Sequence, residues 1–143
     1  MKGFNFSLQK VLEYKETLLN EEISKIQDKL SKINKTQQDI ESVGLRKTQV
    51  VKATNEKCSQ GITVENFSCH SKYFSFLHDT EKRLYTIQSK QKEQLDNLKN
   101  IAQMRQKEKK TLEKLKEKKL KEFGYNLKKQ EQNFIDDIVS ARH

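Results

Sequence analysis

The chain contains no proline, no tryptophan and only four glycines among its 143 residues. Because proline and glycine are the residues that interrupt helices and form tight turns, their scarcity argues against a fold with many strands and loops. No apolar run approaches the roughly 18 residues of a membrane-spanning helix. No apolar run follows Lys2 either, so we expect a soluble chain without a secretory leader.

The amino-acid composition limits the size of any hydrophobic core. Only 33% of the residues are apolar, whereas 34% are charged, and the formal net charge is +9. A thick globular core is excluded, but a coil of two helices needs only two apolar residues per heptad. Intrinsic disorder is the alternative that fits the same composition.

The first half of the chain has the apolar spacing of a coiled coil. The residues that alternate in steps of four and three, with Gln37 in one polar slot, are Leu19, Ile23, Ile26, Leu30, Ile33 and Ile40. This pattern predicts an α-helix over about 8–57 with one face in a helix–helix seam.

A turn is predicted over about 58–63, because Gly61 is the residue there that adopts positive φ at no steric cost. Thr63 is a suitable N-cap for a second helix over about 64–140. The predicted seam of this helix consists of Phe67, Phe74, Leu77, Leu84, Ile87, Leu95, Leu98, Ile101, Leu112 and Leu115. The fold class is therefore all-α, a single domain formed by an antiparallel coiled-coil hairpin.

A chain reversal near residue 60 brings the two apolar patterns together. It pairs Leu8 with Leu112, Leu19 with Ile101, Ile23 with Leu98 and Ile33 with Ile87, and it places Glu16 beside Arg105 and Gly44 opposite Leu77. The same register leaves the second helix without a partner beyond about Glu117. We expect this overhang to be a docking helix, the alternative being a frayed end that folds back on Phe4 and Phe6.

No pattern of residues typical of an enzyme is present. The sequence lacks a glycine-rich phosphate loop, a metalloprotease His pair and a nucleophile elbow, so we expect no enzymatic activity and no cofactor. Cys58, Cys69 and His70 lie near the turn, but their spacing is not that of a zinc site. Without a secretory signal, the two cysteines are expected to be reduced thiols.

The stretch from Arg105 to Glu122 is rich in lysine and also contains four glutamates. A DNA-reading basic region is arginine-rich and nearly free of acids, so we expect no nucleic-acid partner. Binding to a membrane surface stays open as an alternative, because the overhang is cationic and amphipathic.

The chain resembles the FliJ family of flagellar export proteins over essentially its whole length. The resemblance rests on the opening Phe4, Phe6, Leu8, Val11 and Leu12, on the turn Gly61-Ile62-Thr63 followed by Phe67, Tyr73 and Leu77, on the lysine-rich stretch around Leu112 and Leu115, and on the closing Glu131, Phe134, Asp136, Asp137, Ile138 and Arg142. His70 departs from relatives that have an aromatic residue there.

The resemblance implies a stalk-like component of the flagellar type III export apparatus, located in the cytoplasm at the inner face of the inner membrane. Its implied partners are the hexameric export ATPase, the export-gate membrane protein and export chaperones, with no small-molecule substrate. The expected ATPase contacts are Phe4, Phe6, Leu8, Leu12, Phe123, Leu127, Phe134, Ile135, Ile138 and Arg142, and the expected gate contacts are Phe67, Tyr73, Phe76 and Leu77. The alternatives are the equivalent stalk of an injectisome or of a rotary ATPase, or a basic helical protein associated with nucleic acid or a membrane.

Overall fold

The computed structural model describes residues 3–142, and these residues form two α-helices packed against each other as a hairpin. Helix α1 spans Gln9–Gln60 and helix α2 spans Val64–Arg142. The all-α hairpin predicted from the apolar spacing is thus confirmed. Neither helix contains proline, so no interior residue lacks the N–H group that the helical hydrogen-bond ladder requires.

The two helices are joined by a three-residue turn. Gly61 has a φ of 93°, and its N–H donates to the carbonyl of Cys58 over 3.3 Å. Thr63 caps α2, because its Oγ1 accepts the N–H of Asn66 over 3.2 Å. Since α1 continues through Cys58 to Gln60, it ends three residues later than the sequence pattern indicated.

Contacts between Cα atoms divide the chain into two compact units. One, called here the end unit, combines Met1–Ile23 with Asn100–His143, of which residues 3–23 and 100–142 are described; the other, called here the tip unit, is Ser24–Lys99. Each unit therefore contains part of α1 packed on part of α2.

In the tip unit, the seam of α1 alternates between apolar and polar side chains. Ile33, Thr36 and Ile40 are buried, and Ile26 and Lys29 are half-buried. On α2 the buried residues are Leu77, Gln88 and Leu95, while Leu84 and Leu98 are half-buried. The seam therefore repeats in steps of three and four, with a polar residue at about every second position of α1.

The structure differs from the predicted seams at five positions. In the tip unit, Leu30, Phe67 and Ile87 are 42%, 46% and 46% exposed, and in the end unit, Ile23 and Ile101 are 41% and 39% exposed. From Leu19 the observed seam steps three residues to Glu22, which is buried, whereas the prediction stepped four residues to Ile23. The predicted and the observed seam of α1 share Leu19, Ile26, Ile33 and Ile40. The apolar spacing alone therefore cannot decide between them.

Hydrogen bonds across the hairpin compensate the polar residues of the seam. In the tip unit, Lys29 Nζ donates to Gln94 Oε1 over 2.8 Å, and Gln88 Nε2 donates to Gln37 Oε1 over 2.7 Å. In the end unit, Lys15 Nζ donates to Glu108 Oε2 over 2.9 Å. Burial of a polar group at a helix interface costs little free energy once the group is hydrogen-bonded. The polar residues of α1 are therefore compatible with a position in the seam.

The register of the hairpin is shifted by one helical turn from the prediction. In the end unit, Glu16 forms its ion pair with Lys109 at 3.6 Å and not with Arg105. In the tip unit, Gly44 faces the Glu81 carboxylate and not Leu77, since a Cβ added at Gly44 would lie 3.7 Å from Glu81 Oε2. The later end of α1 accounts for this shift, because the reversal lies about two residues further along the chain.

Candidate functional surfaces

The C-terminal part of α2 presents an apolar surface without a covering partner. Every residue from 128 to 142, called here the C-terminal segment, is exposed. Its large apolar side chains are exposed at 66% for Phe134, 51% for Ile135, 41% for Ile138 and 51% for Val139. Since residues three and four apart share one side of a helix, these four side chains form a continuous apolar stripe.

The N-terminal residues cover the part of α2 that precedes this segment. The Phe4 and Phe123 rings pack at a centroid distance of 5.7 Å and an interplanar angle of 55°. Phe6 is buried at 6% exposure, and Leu127 is half-buried. The expected overhang from about Glu117 is therefore shorter, because the register shift and residues 3–8 extend the paired region.

The ten expected ATPase contacts thus fall into two groups. Phe6 and Leu12 are buried, Phe4 and Phe123 pack on each other, Leu127 is half-buried and Leu8 is exposed at 37% beside this cluster. The second group lies in the C-terminal segment, and all of its members are exposed: Phe134, Ile135, Ile138 and Arg142.

An ion-pair cluster of the end unit is centred on Glu108. Glu108 accepts from Lys15 at 2.9 Å and also contacts Arg105 Nη1 at 3.6 Å. The hydrogen bond from Lys15, opposed by some desolvation and aided by the charges of Lys15 and Arg105, holds the pKa of Glu108 below its ordinary value of 4.5. The carboxylate is therefore stabilised in its charged form.

This lowered pKa makes the stability of the end unit depend on pH. A carboxyl whose pKa is lower in the folded than in the unfolded chain stabilises the fold above its unfolded pKa, and the stabilisation is lost as the pH falls through the folded pKa. We expect Glu108→Gln to lower the urea midpoint at pH 7 and to leave it unchanged well below 4.5. Glu117→Gln, which removes an exposed carboxylate paired only within α2, serves as the control. Equal midpoint differences at both pH values would contradict this assignment.

At the turn end of the tip unit, three aromatic side chains are exposed. The exposed fractions are 46% for Phe67, 44% for Tyr73 and 59% for Phe76. Leu77, the fourth expected gate contact, is instead the most buried core residue, at 2%. The gate contacts expected from the sequence therefore separate into one residue of the seam and three residues of the surface.

A polar cluster lies in the seam of the tip unit. Lys47 Nζ lies 3.2 Å from Glu81 Oε1, 3.0 Å from His78 Nδ1 and 5.3 Å from the centroid of the Phe74 ring. His70 Nδ1 lies 3.1 Å from Thr54 Oγ1. The apolar spacing of the sequence did not predict that Lys47 would lie in the seam, because a lysine is ordinarily expected on the solvent-exposed side of a helix.

The described residues 3–142 include no cluster of three metal-ligating side chains, and both cysteines are exposed and unpaired. Within the same range, no helix has the length and apolar content needed to cross a bilayer. The surfaces that distinguish the molecule are therefore the apolar stripe of the C-terminal segment, the aromatic surface near the turn and a large number of exposed lysines.

Comparison with known proteins agrees with this architecture. Residues 4–143 match the family described as Flagellar FliJ protein. No curated protein and no solved structure matches the chain. Because the match covers nearly the whole sequence, the chain belongs to the FliJ family and is a non-enzymatic component of the flagellar export apparatus.

Proposed function

We propose that this protein is the stalk-like component that links the hexameric export ATPase to the export gate. The C-terminal segment binds the ATPase ring, and the aromatic surface near the turn binds the gate membrane protein. The protein acts in the cytoplasm, at the inner face of the inner membrane. The proposal includes the escort of export chaperones, a role that the family resemblance implies.

The observation that carries the ring contact is the exposed apolar stripe of the C-terminal segment. Phe134, Ile135, Ile138 and Val139 are at least 41% exposed, although all four side chains are apolar. Burial of one large apolar side chain favours binding by about 1.5 to 3 kcal/mol before the ordering costs are subtracted. A ring that encloses the segment offers burial on several sides of the helix at once.

The gate contact rests on the exposed aromatic side chains near the turn. Tyr73 and Phe76 lie three residues apart on α2, so they are neighbours on its surface. Aromatic residues of this kind are enriched among those that dominate binding energy at protein interfaces. One apolar contact surface therefore belongs to the tip unit and the other to the end unit.

The ring contact is tested by making the stripe polar. We expect Phe134→Ser combined with Ile138→Ser to weaken binding to the purified export ATPase hexamer by at least about tenfold, because two large contact side chains are lost. The helical content measured by circular dichroism is expected to stay nearly unchanged, since both residues are exposed. Binding is measured by co-sedimentation, together with the stimulation of ATP hydrolysis.

The matched control is Leu45→Ser combined with Tyr85→Ser, which removes two similarly exposed apolar side chains, 61% and 54%, from the tip unit. This control is expected to bind the ring as the unmodified chain does. Unchanged ring binding by the Phe134 and Ile138 variant would refute the C-terminal contact. The ring contact would then have to involve Phe4, Phe6 and Leu8.

A further inference from the structure

One face of α2 in the end unit is formed almost entirely by lysines. They follow each other at steps of three, four, four, three and seven residues, so they lie on one side of the helix, and all are exposed. This lysine face consists of Lys107, Lys110, Lys114, Lys118, Lys121 and Lys128. At 1.5 Å per residue, it extends over about 32 Å along the helix.

The acidic residues of the same stretch point mostly elsewhere. Glu108 pairs with Lys15 at 2.9 Å, Glu113 with Lys109 at 3.6 Å, and Glu122 with Lys119 at 3.6 Å. Glu117 alone shares the lysine face, where it lies 3.4 Å from Lys121. The acidic residues that alternate with lysines in the sequence therefore lie mostly on other sides of the helix, and a row of positive charge faces solvent.

We propose that the lysine face binds the surface of an anionic lipid bilayer, with the end-unit part of α2 lying along the membrane. A flat charged surface contacts every lysine of a straight row at once, whereas the phosphates of a DNA duplex wind away from it. Lysine also acts as a point charge and lacks the bidentate geometry by which arginine recognises nucleic acids.

A single exposed aromatic residue strengthens this assignment. Tyr125 is 68% exposed and lies on the lysine face between Lys121 and Lys128. An apolar ring with a polar hydroxyl at its tip suits the interface between lipid headgroups and water. Binding of this kind goes beyond the proposed function, because it requires neither the ATPase nor the gate protein.

The test uses the full-length chain and two variants of equal net charge. The face variant combines Lys107→Gln, Lys114→Gln, Lys118→Gln and Lys121→Gln. The control variant combines Lys72→Gln, Lys82→Gln, Lys90→Gln and Lys99→Gln, which are exposed lysines of α2 in the tip unit. Glutamine keeps a helix propensity close to that of lysine, so circular dichroism should report equal helicity for both.

Binding is measured by sedimentation with vesicles of phosphatidylcholine that contain about 40 mol % phosphatidylglycerol. We expect the face variant to bind roughly 100-fold more weakly than the unmodified chain and the control variant less than about threefold more weakly. Raising the salt from about 50 to 300 mM should weaken the binding of the unmodified chain strongly, because exposed charges are screened.

Three results would overturn the proposal. Equal losses in the two variants would show that net charge and not the lysine face determines binding. Equal binding to vesicles of pure phosphatidylcholine would assign the contact to apolar side chains. A face variant that keeps its vesicle binding but loses binding to a short DNA duplex would assign the lysine face to nucleic acid.

Discussion

Oxidation of a variant carrying Thr36→Cys and Gln88→Cys is expected to yield an intramolecular disulfide in nearly every molecule. Both residues belong to the tip unit, both are 7% exposed, and Gln88 donates to Gln37 across the seam over 2.7 Å. Opposite seam positions of this kind bring the two Cβ atoms close enough for disulfide formation. The native Cys58 and Cys69, which are exposed, are replaced by serine in this background.

The matched control is Ile33→Cys combined with Ile87→Cys, the pair that the apolar spacing alone would place in contact. Ile33 is buried at 9% exposure, but Ile87 is 46% exposed and lies outside the seam. We expect this variant to oxidise at least about tenfold more slowly, because its thiols are not opposed. The yields are read from non-reducing gels of dilute samples, in which disulfides between chains are also visible.

The two pairs distinguish three arrangements of the helices. Oxidation of the Thr36 and Gln88 pair alone corresponds to the observed register. Comparable oxidation of both pairs would show that the helices exchange between two registers. Preferential crosslinking between chains would show an intermolecular coil and would contradict the hairpin.

The sequence was sufficient to predict the fold class and the segment 58–63 within which the chain reverses, because each depends on local chemistry. The absence of proline favours long helices, and Gly61 at a φ of 93° occupies a backbone region that other residues avoid. Register depends on the pairing of two distant segments, and a slide of one turn returns apolar residues to the seam. The error at Glu16, which pairs with Lys109 and not with Arg105, has this origin.

The same error limited what the sequence could say about the contact surfaces. Whether Phe123 is free depends on how far the N-terminal residues reach along α2, and the predicted register left it unpaired. In the structure its ring packs on Phe4, so the exposed apolar stripe begins later in the chain. Phe134 and Ile138 were predicted correctly as residues without an intramolecular partner, because they lie beyond the reach of either register.

Leu77 and Phe76 are expected to give opposite results when each is shortened to alanine, although they are adjacent in the sequence. Leu77 is 2% exposed in the seam of the tip unit, whereas Phe76 is 59% exposed. We expect Leu77→Ala to lower the free energy of unfolding by about 3 kcal/mol, because it leaves a cavity in a thin core. Phe76→Ala should change it by less than about 0.5 kcal/mol. Urea denaturation followed by circular dichroism measures both.

A comparison of the exposed aromatic residues with Leu77 distinguishes an effect on gate binding from an effect on folding. Tyr73→Ala combined with Phe76→Ala is expected to leave the urea midpoint nearly unchanged, since both side chains are exposed. If they are the proposed anchors, the variant should also bind the export-gate protein at least about tenfold more weakly. Leu77→Ala, studied at a temperature where it remains folded, should bind the gate normally because its side chain does not reach the surface. The proposal would be contradicted if Leu77→Ala lost gate binding while folded and the aromatic variant kept it. The gate contact would then lie on the seam side of α2, and Tyr73 and Phe76 would be ordinary solvent-exposed residues.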